Sequence, residues 1–131
     1  MIRPQAVMLP ILRSALPAVA VLSVDPDVDH RTFPLVVIGR AGGTRHPSWP
    51  KRFALPEVEL TAVSADGPIE AEELYDDALD ALYDAVRQQI TVEGVGYLHS
   101  IREDRGATQV GSEIPDTWSV QGSVRVGLRA A

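Results

Sequence analysis

The chain has no cysteine. That removes a disulfide framework, thiolate metal ligation and a cysteine nucleophile together. It leaves the compartment open, because many secreted bacterial proteins lack the residue as well. Lysine is almost missing too. Lys51 stands alone, and every other cation is arginine, which pairs bidentately and tolerates burial at an interface. Cations as a class are outnumbered, 12 against 18 acids, for a formal charge of −6. Neutralising phosphates takes clustered Lys and Arg, so a protein that reads nucleic-acid sequence is disfavoured. No apolar run approaches the ~20 residues of a membrane span. Met1 to Ala20 carries an early cation, Arg3, and an Ala18-Val19-Ala20 triplet of the kind found at cleavage sites. Pro10 and Arg13 break its apolar run, which argues against a secretory leader. The expectation is a soluble protein, intracellular when made. With 131 residues there is room for one domain and not for two independent cores.

Hydrophobic periodicity supplies the elements. Pro4 to Leu16 reads as a helix through Val7, Met8, Ile11, Leu12 and Ala15, with Pro10 weakening its first turns so that regular helix begins near Met8. Val19 to Val24 reads as a short strand, and Pro34 to Arg40, apolar on both parities, as a strand covered on both faces. Residues 41–56 read as a long basic loop. They hold Gly42, Gly43, Pro47, Pro50 and Pro56 among Arg45, His46, Lys51 and Arg52, with no acid. Glu57 to Ala65 alternates as a half-buried strand. Pro68 to about Gln89 is an amphipathic helix, with Asp66 near its N-cap. Its apolar stripe is Ala71, Leu74, Tyr75, Ala78, Leu82, Ala85 and Val86, and Glu73, Asp76, Asp77, Asp80 and Asp84 lie on its other side. Val95 to Arg102 alternates as a strand, with His99 on the apolar parity and so a packed core residue. Glu103 to Pro115 reads as a polar connection, and Trp118 to Leu128 as a long strand with one wet face. The order is α-β-β-β-α-β-β. It predicts a single α+β domain over residues 1–131, a mainly antiparallel sheet of about five strands packed against two helices.

Motifs that would carry chemistry are incomplete. Asp25, Asp27 and Asp29 match the first ligand positions of a calcium loop, but His30 and Val36 stand where that loop needs Gly and Glu. An Asp- and Pro-rich turn explains them without metal. Gly39, Gly42 and Gly43 follow an apolar strand without the spacing of a phosphate cradle. The three histidines fall in different elements, outside any metal-pair motif, and no serine sits in a nucleophile elbow. The acids of the second helix read as a solvated face. No catalytic residue, metal or cofactor is expected.

The segment from Arg45 to Phe53 is where function outweighs a bland reading. Cations interleaved with Trp49 and Phe53 could stack on nucleic acid. They could equally anchor a protein interface, where Trp and Arg concentrate binding energy. The acidic total favours the protein. A basic segment and an acidic helix on one chain suggest head-to-tail contacts between copies, which close into rings when the rotation allows. The candidate interface is Arg45, Lys51 and Arg52, with Trp49 and Phe53, against Asp76, Asp77 and Asp80 of a neighbouring subunit.

Five stretches in this order carry a resemblance: "PQAVMLPILRSALP", "VAVLSV", "PLVVIGRAGG", "EAEELYDDALDALYDAV" and "WSVQGSVRVGLR". Together they resemble the tail terminator proteins of long-tailed, non-contractile phages, especially those infecting actinobacteria. The resemblance covers nearly the whole chain and rests on pattern, length and the strand-Arg-x-Gly-Gly turn. The "TRHPSWPKRF" stretch is longer than the family pattern. The resemblance implies a hexameric ring at the head-proximal end of the tail tube, a virion location after synthesis in the host. Such a ring stops tube polymerisation, contacts the tail tube protein, and docks the head-tail connector or stopper. DNA passes its lumen unread, and no membrane is involved. Two alternatives stay open: a head-completion or stopper protein of the neck, and a monomeric module binding a small ligand or peptide through the Trp49 segment.

Overall fold

The computed structural model describes residues 2–23, 32–112 and 114–130. Helix α1, Pro4–Ala15, starts on Pro4, whose fixed φ suits a first helical position and whose missing N–H would be unpaired there anyway. Pro10 does not delay it. The ring and the Ala6 carbonyl it strands both lie on the exposed side, where water can satisfy the carbonyl. Val7, Met8, Ile11 and Leu12 form the buried stripe. Arg13 ties the helix to strand β1, Ala20–Leu22, by donating from Nε and Nη2 to the Val21 carbonyl at 3.1 and 2.9 Å.

Strands β2, Leu35–Arg45, and β3, Phe53–Ser64, form a long hairpin. Helix α2, Pro68–Gln88, follows; its N-cap is Gly67 rather than Asp66, and Gln89 closes it in the left-handed conformation at φ 51°. Strand β4, Thr91–Val92, turns into β5, Gly96–Val110, which is followed by β6, Trp118–Ala130. The order across the sheet is β1-β2-β3-β6-β5-β4. The architecture is therefore α+β, with two helices on a six-stranded sheet among the described residues. The sheet is mixed because β1 lies parallel to β2, while the other pairs are antiparallel.

Both helices cover one face. The even-numbered residues of β3 and β6 meet them: Val58, Leu60 and Ala62, then Val120, Val124, Val126 and Leu128. From α2 come Ala71, Leu74, Tyr75, Ala78, Leu79, Leu82 and Ala85, and from β5 Leu98. Each fully buried Leu or Val there contributes about 1.5–3 kcal/mol.

Further expectations change along the strands. Residues 41–56 are not a loop. They are the distal half of the hairpin, and only 46–52 turn. The glycines serve a bulge between Arg40 and Gly42, with Gly42 at φ 136° and Gly43 at φ 99°. A side chain at Gly43 would collide with the β3 backbone, Glu57 N lying 2.6 Å from its Cβ position. Pro56 falls where the β3–β6 pairing lapses between Ala54 and Glu57, so its missing N–H costs no rung. Likewise, Glu103 to Val110 continues β5 through bulges between Glu103 and Arg105 and between Arg105 and Thr108. A further bulge between Leu98 and Ser100 turns His99 out to an exposed position. Finally, β6 is interior. Ser119, Ser123 and Gly127 on its second face are buried, leaving Arg125 and Arg129 as the wet positions. The Asp25-Asp27-Asp29 triplet lies outside the described residues.

Candidate interaction surface

The hairpin tip is built by its own hydrogen bonds. His46 N donates to Phe53 O at 3.2 Å, and Phe53 N donates back to Trp49 O at 3.0 Å. The His46 ring clamps the turn, with Nδ1 accepting from Ser48 N at 3.0 Å and Trp49 N at 3.3 Å. Aromatic rings then gather. His46 lies 5.1 Å from Trp49 and 5.4 Å from Phe53, centroid to centroid. His99 of β5 meets Phe53 edge-on at 5.7 Å, and the Arg129 guanidinium of β6 sits 5.4 Å from the Phe53 centroid. Ala130 N bonds Arg52 O at 3.2 Å, which pins the tip to the end of β6. Trp49 stays 57% exposed although its ring lies against those of His46 and Phe53. An exposed Trp on a turn that also carries Lys51 and Arg52 has the chemistry of an interface anchor.

Asp76, Asp77 and Asp80 are exposed on the outer side of α2. None of the ion pairs among the described residues joins them to Arg45, Lys51 or Arg52. The fold thus sets Trp49 and Phe53 side by side, with Lys51 and Arg52 in the same turn, places Arg45 on the helix side through its pairing with Ala54, and holds the three acids on another element. His46, His99 and Arg129 belong to the tip as well and were missed from sequence. Only strand register brings the last two there, through the Phe53–Arg129 and Tyr97–Arg129 pairs.

The helix-free face carries a second polar group. Arg125 Nε donates to Asp104 Oδ1 at 3.1 Å. Glu57 is pushed above its ordinary range, first by its hydrogen bond with Asp104, then by desolvation and by the charge of that carboxylate. Asp104 is pulled below its ordinary range by the same Glu57 hydrogen bond and then by Arg125. Beside it lies a depression of about 290 Å³, edged by Leu35, Val37, Val63, Val110 and Ile114. On its floor Gln121 Nε2 donates to Glu59 Oε1 at 2.6 Å and to Thr61 Oγ1 at 3.2 Å. These groups satisfy one another, and no nucleophile and base converge. Among the described residues no three His, Cys, Asp or Glu side chains are placed to hold a metal, and no helix is long and apolar enough to cross a membrane.

The family described as phage tail termination protein matches residues 1–131. The "Gene 22 protein" of Mycobacterium phage L5 is 51% identical over 129 residues, covering 97% of this chain and 92% of that protein. The protein of the same title from Mycobacterium phage D29 is 48% identical, with the same coverage. Among solved structures, a chain of the "virion of native gene transfer agent (GTA) particle" superposes with a TM-score of 0.51 at 14% identity. It covers 97% of this chain and 95% of that one, a likeness of fold.

Proposed function

The chain belongs to the phage tail termination protein family, and from that premise we propose that it ends growth of the tail tube. In this reading copies of the chain form a hexameric ring at the head-proximal end of the tube, and the ring gives the head connector or stopper its docking surface. The observation that carries the reading is the family match over the whole chain. The fold supports it through two dissimilar surfaces, the cationic, Trp-bearing hairpin tip and the acidic outer side of α2. Unlike surfaces on one chain favour head-to-tail contacts, and a terminator must match the tube on one side only. We propose further that Arg45, Lys51, Arg52, Trp49 and Phe53 meet a partner subunit's acids, with Asp76, Asp77 and Asp80 as the pairing set. DNA passes through the ring unread, as the excess of acids over cations permits.

Phage lacking the gene test the function. The expected outcome is filled capsids beside unattached tubes that overrun their normal length. Normal-length tails joined to heads would refute the reading. Normal-length but unattached tails beside leaking heads would assign the chain to head completion instead.

A further inference from the structure

The four long strands outrun their short neighbours at both sides of the sheet. Strand β1 covers β2 only at Leu35 to Val37, so Ile38 to Arg45 has no strand against its outer edge among the described residues. The Ala20 N–H donates to Pro34 O, so the β2 backbone groups at Pro34 point outward. Strand period two then turns those of Ile38 and Arg40 the same way. On the far side, β4 covers β5 only at Gly96 and Tyr97, and Leu98 to Val110 has no further strand against it among the described residues, a second open edge. Open edges of this length are templates for pairing.

The two edges match in level, direction and charge. Arg40 stands across from Val58, Val58 across from Val124, and Val124 across from Glu103, so Arg40 and Glu103 occupy one level of the sheet. Val58 and Val124 belong to the helix-covered core, so Arg40 and Glu103 share the helix side of the sheet. In the antiparallel order β2-β3-β6-β5, the outer strands run in opposite directions. Copies repeated about an axis along the strands therefore bring β2 antiparallel to the next copy's β5. On that side β2 displays Arg40 and Arg45. The β5 side displays Glu103, and further along that edge Gln109 Nε2 donates to Glu72 Oε1 of α2 at 3.2 Å. On the helix side two β2 edges would bring arginines together and two β5 edges carboxylates, so charge favours the meeting of unlike edges.

We propose that the outer edge of β2, Ile38 to Arg45, adds to the outer edge of β5, around Ser100 to Glu103, of a second copy, joining their sheets with Arg40 beside the partner's carboxylates. The inference rests on the ring reading for the presence of a second copy, and it names the contact. The bulges and charges on both edges keep other strands from adding.

The absence of native cysteine makes the test direct. Arg40→Cys is combined with Glu103→Cys, both exposed positions, in the full-length chain, purified and in assembled virions. Directly opposed strand residues lie about 4.5–5.5 Å apart at Cα, within disulfide reach. The double variant is expected to give a ladder of covalent oligomers under oxidising, denaturing conditions. Arg40→Cys with Arg102→Cys, on the opposite face, is expected to give none. Dimers from either single variant, equal cross-linking by both double variants, or no cross-linking in either preparation would overturn the proposal. As a second measurement, Arg40→Glu and Glu103→Arg should each abolish association and together restore it. Association unchanged by either reversal would also overturn it. Tail length in gene-deleted phage reads the terminator function separately, so a cross-linked ring with normal tails would remove the function and leave the contact.

Discussion

The three glycines of β2 should respond to alanine in a graded way that a loop could not produce. At Gly39 an added Cβ meets nothing within 4 Å, and the backbone is ordinary strand. Gly39→Ala should therefore raise stability by about 0.5 kcal/mol, because it restricts the unfolded chain. At Gly42 the space is again open but φ is +136°, a region that L residues rarely adopt. Gly42→Ala should cost about 1 kcal/mol of backbone strain. At Gly43 strain at φ +99° adds to a collision with Leu55 O, Pro56 Cα and Glu57 N, all backbone atoms of β3 that cannot rotate away. Relief requires the hairpin to open, and about 3 kcal/mol is the expected loss. For a chain of this size that is a fall in Tm of roughly 12 °C, against about 4 °C for Gly42→Ala and a small rise for Gly39→Ala. Urea titration followed by circular dichroism gives the three values. In a flexible segment all three substitutions would fall within about 0.5 kcal/mol of one another. That result, or a Gly43→Ala cost no larger than that of Gly42→Ala, would refute the close approach of β2 to β3.

Trp49→Ala should change Tm by no more than about 2 °C, since the indole is largely exposed. It should sharply weaken head joining in a complementation assay, and wild-type joining would remove Trp49 from the interface. Arg52→Glu should weaken the ring, and Asp77→Arg on the same chain should restore part of it; additive losses in that double-mutant cycle would separate the two residues. Carboxyl NMR should find Glu57 titrating above its ordinary range and Asp104 below. The raised Glu57 favours the fold at low pH and loses that advantage as pH climbs through its folded pKa. The lowered Asp104 does the reverse, losing its contribution as pH falls through its own. Asp104→Asn should bring Glu57 back toward its ordinary range, and an unmoved Glu57 would show that Asp104 is not the cause. Calcium should leave Tm unchanged, and a rise of several degrees would establish a cation site, since only binding to the native state stabilises.

Where a helix covers the sheet, sequence and structure agree closely. Helix α2 was legible because its apolar stripe and its acids fall on opposite sides of a 21-residue run, and burial follows that stripe except that Leu79 joins it and Val86 is only partly covered. The even-numbered valines of β6 were legible for the same reason. Legibility fails where strands extend past the helices. From Ala41 to Arg45 and from Glu103 to Gln109 each residue is exposed, so nothing imposes a period of two, and glycine and charge imitate a loop. Bulges then shift the phase, which is how His99 left the apolar parity. The tip was half legible. Arg45, Trp49, Lys51, Arg52 and Phe53 lie within one short stretch of chain, whereas His99 and Arg129 arrive only through pairing across three strands. Both failures have one physical origin. A strand segment loses its alternating pattern when no core lies against it, and the same lack of cover leaves its backbone edge and side chains open to another chain. In this fold, Arg45, Glu103 and the hairpin tip all sit in such segments, and Arg40 stands at the border of one. The stretches that read least like secondary structure are therefore the ones from which contacts between subunits can be built.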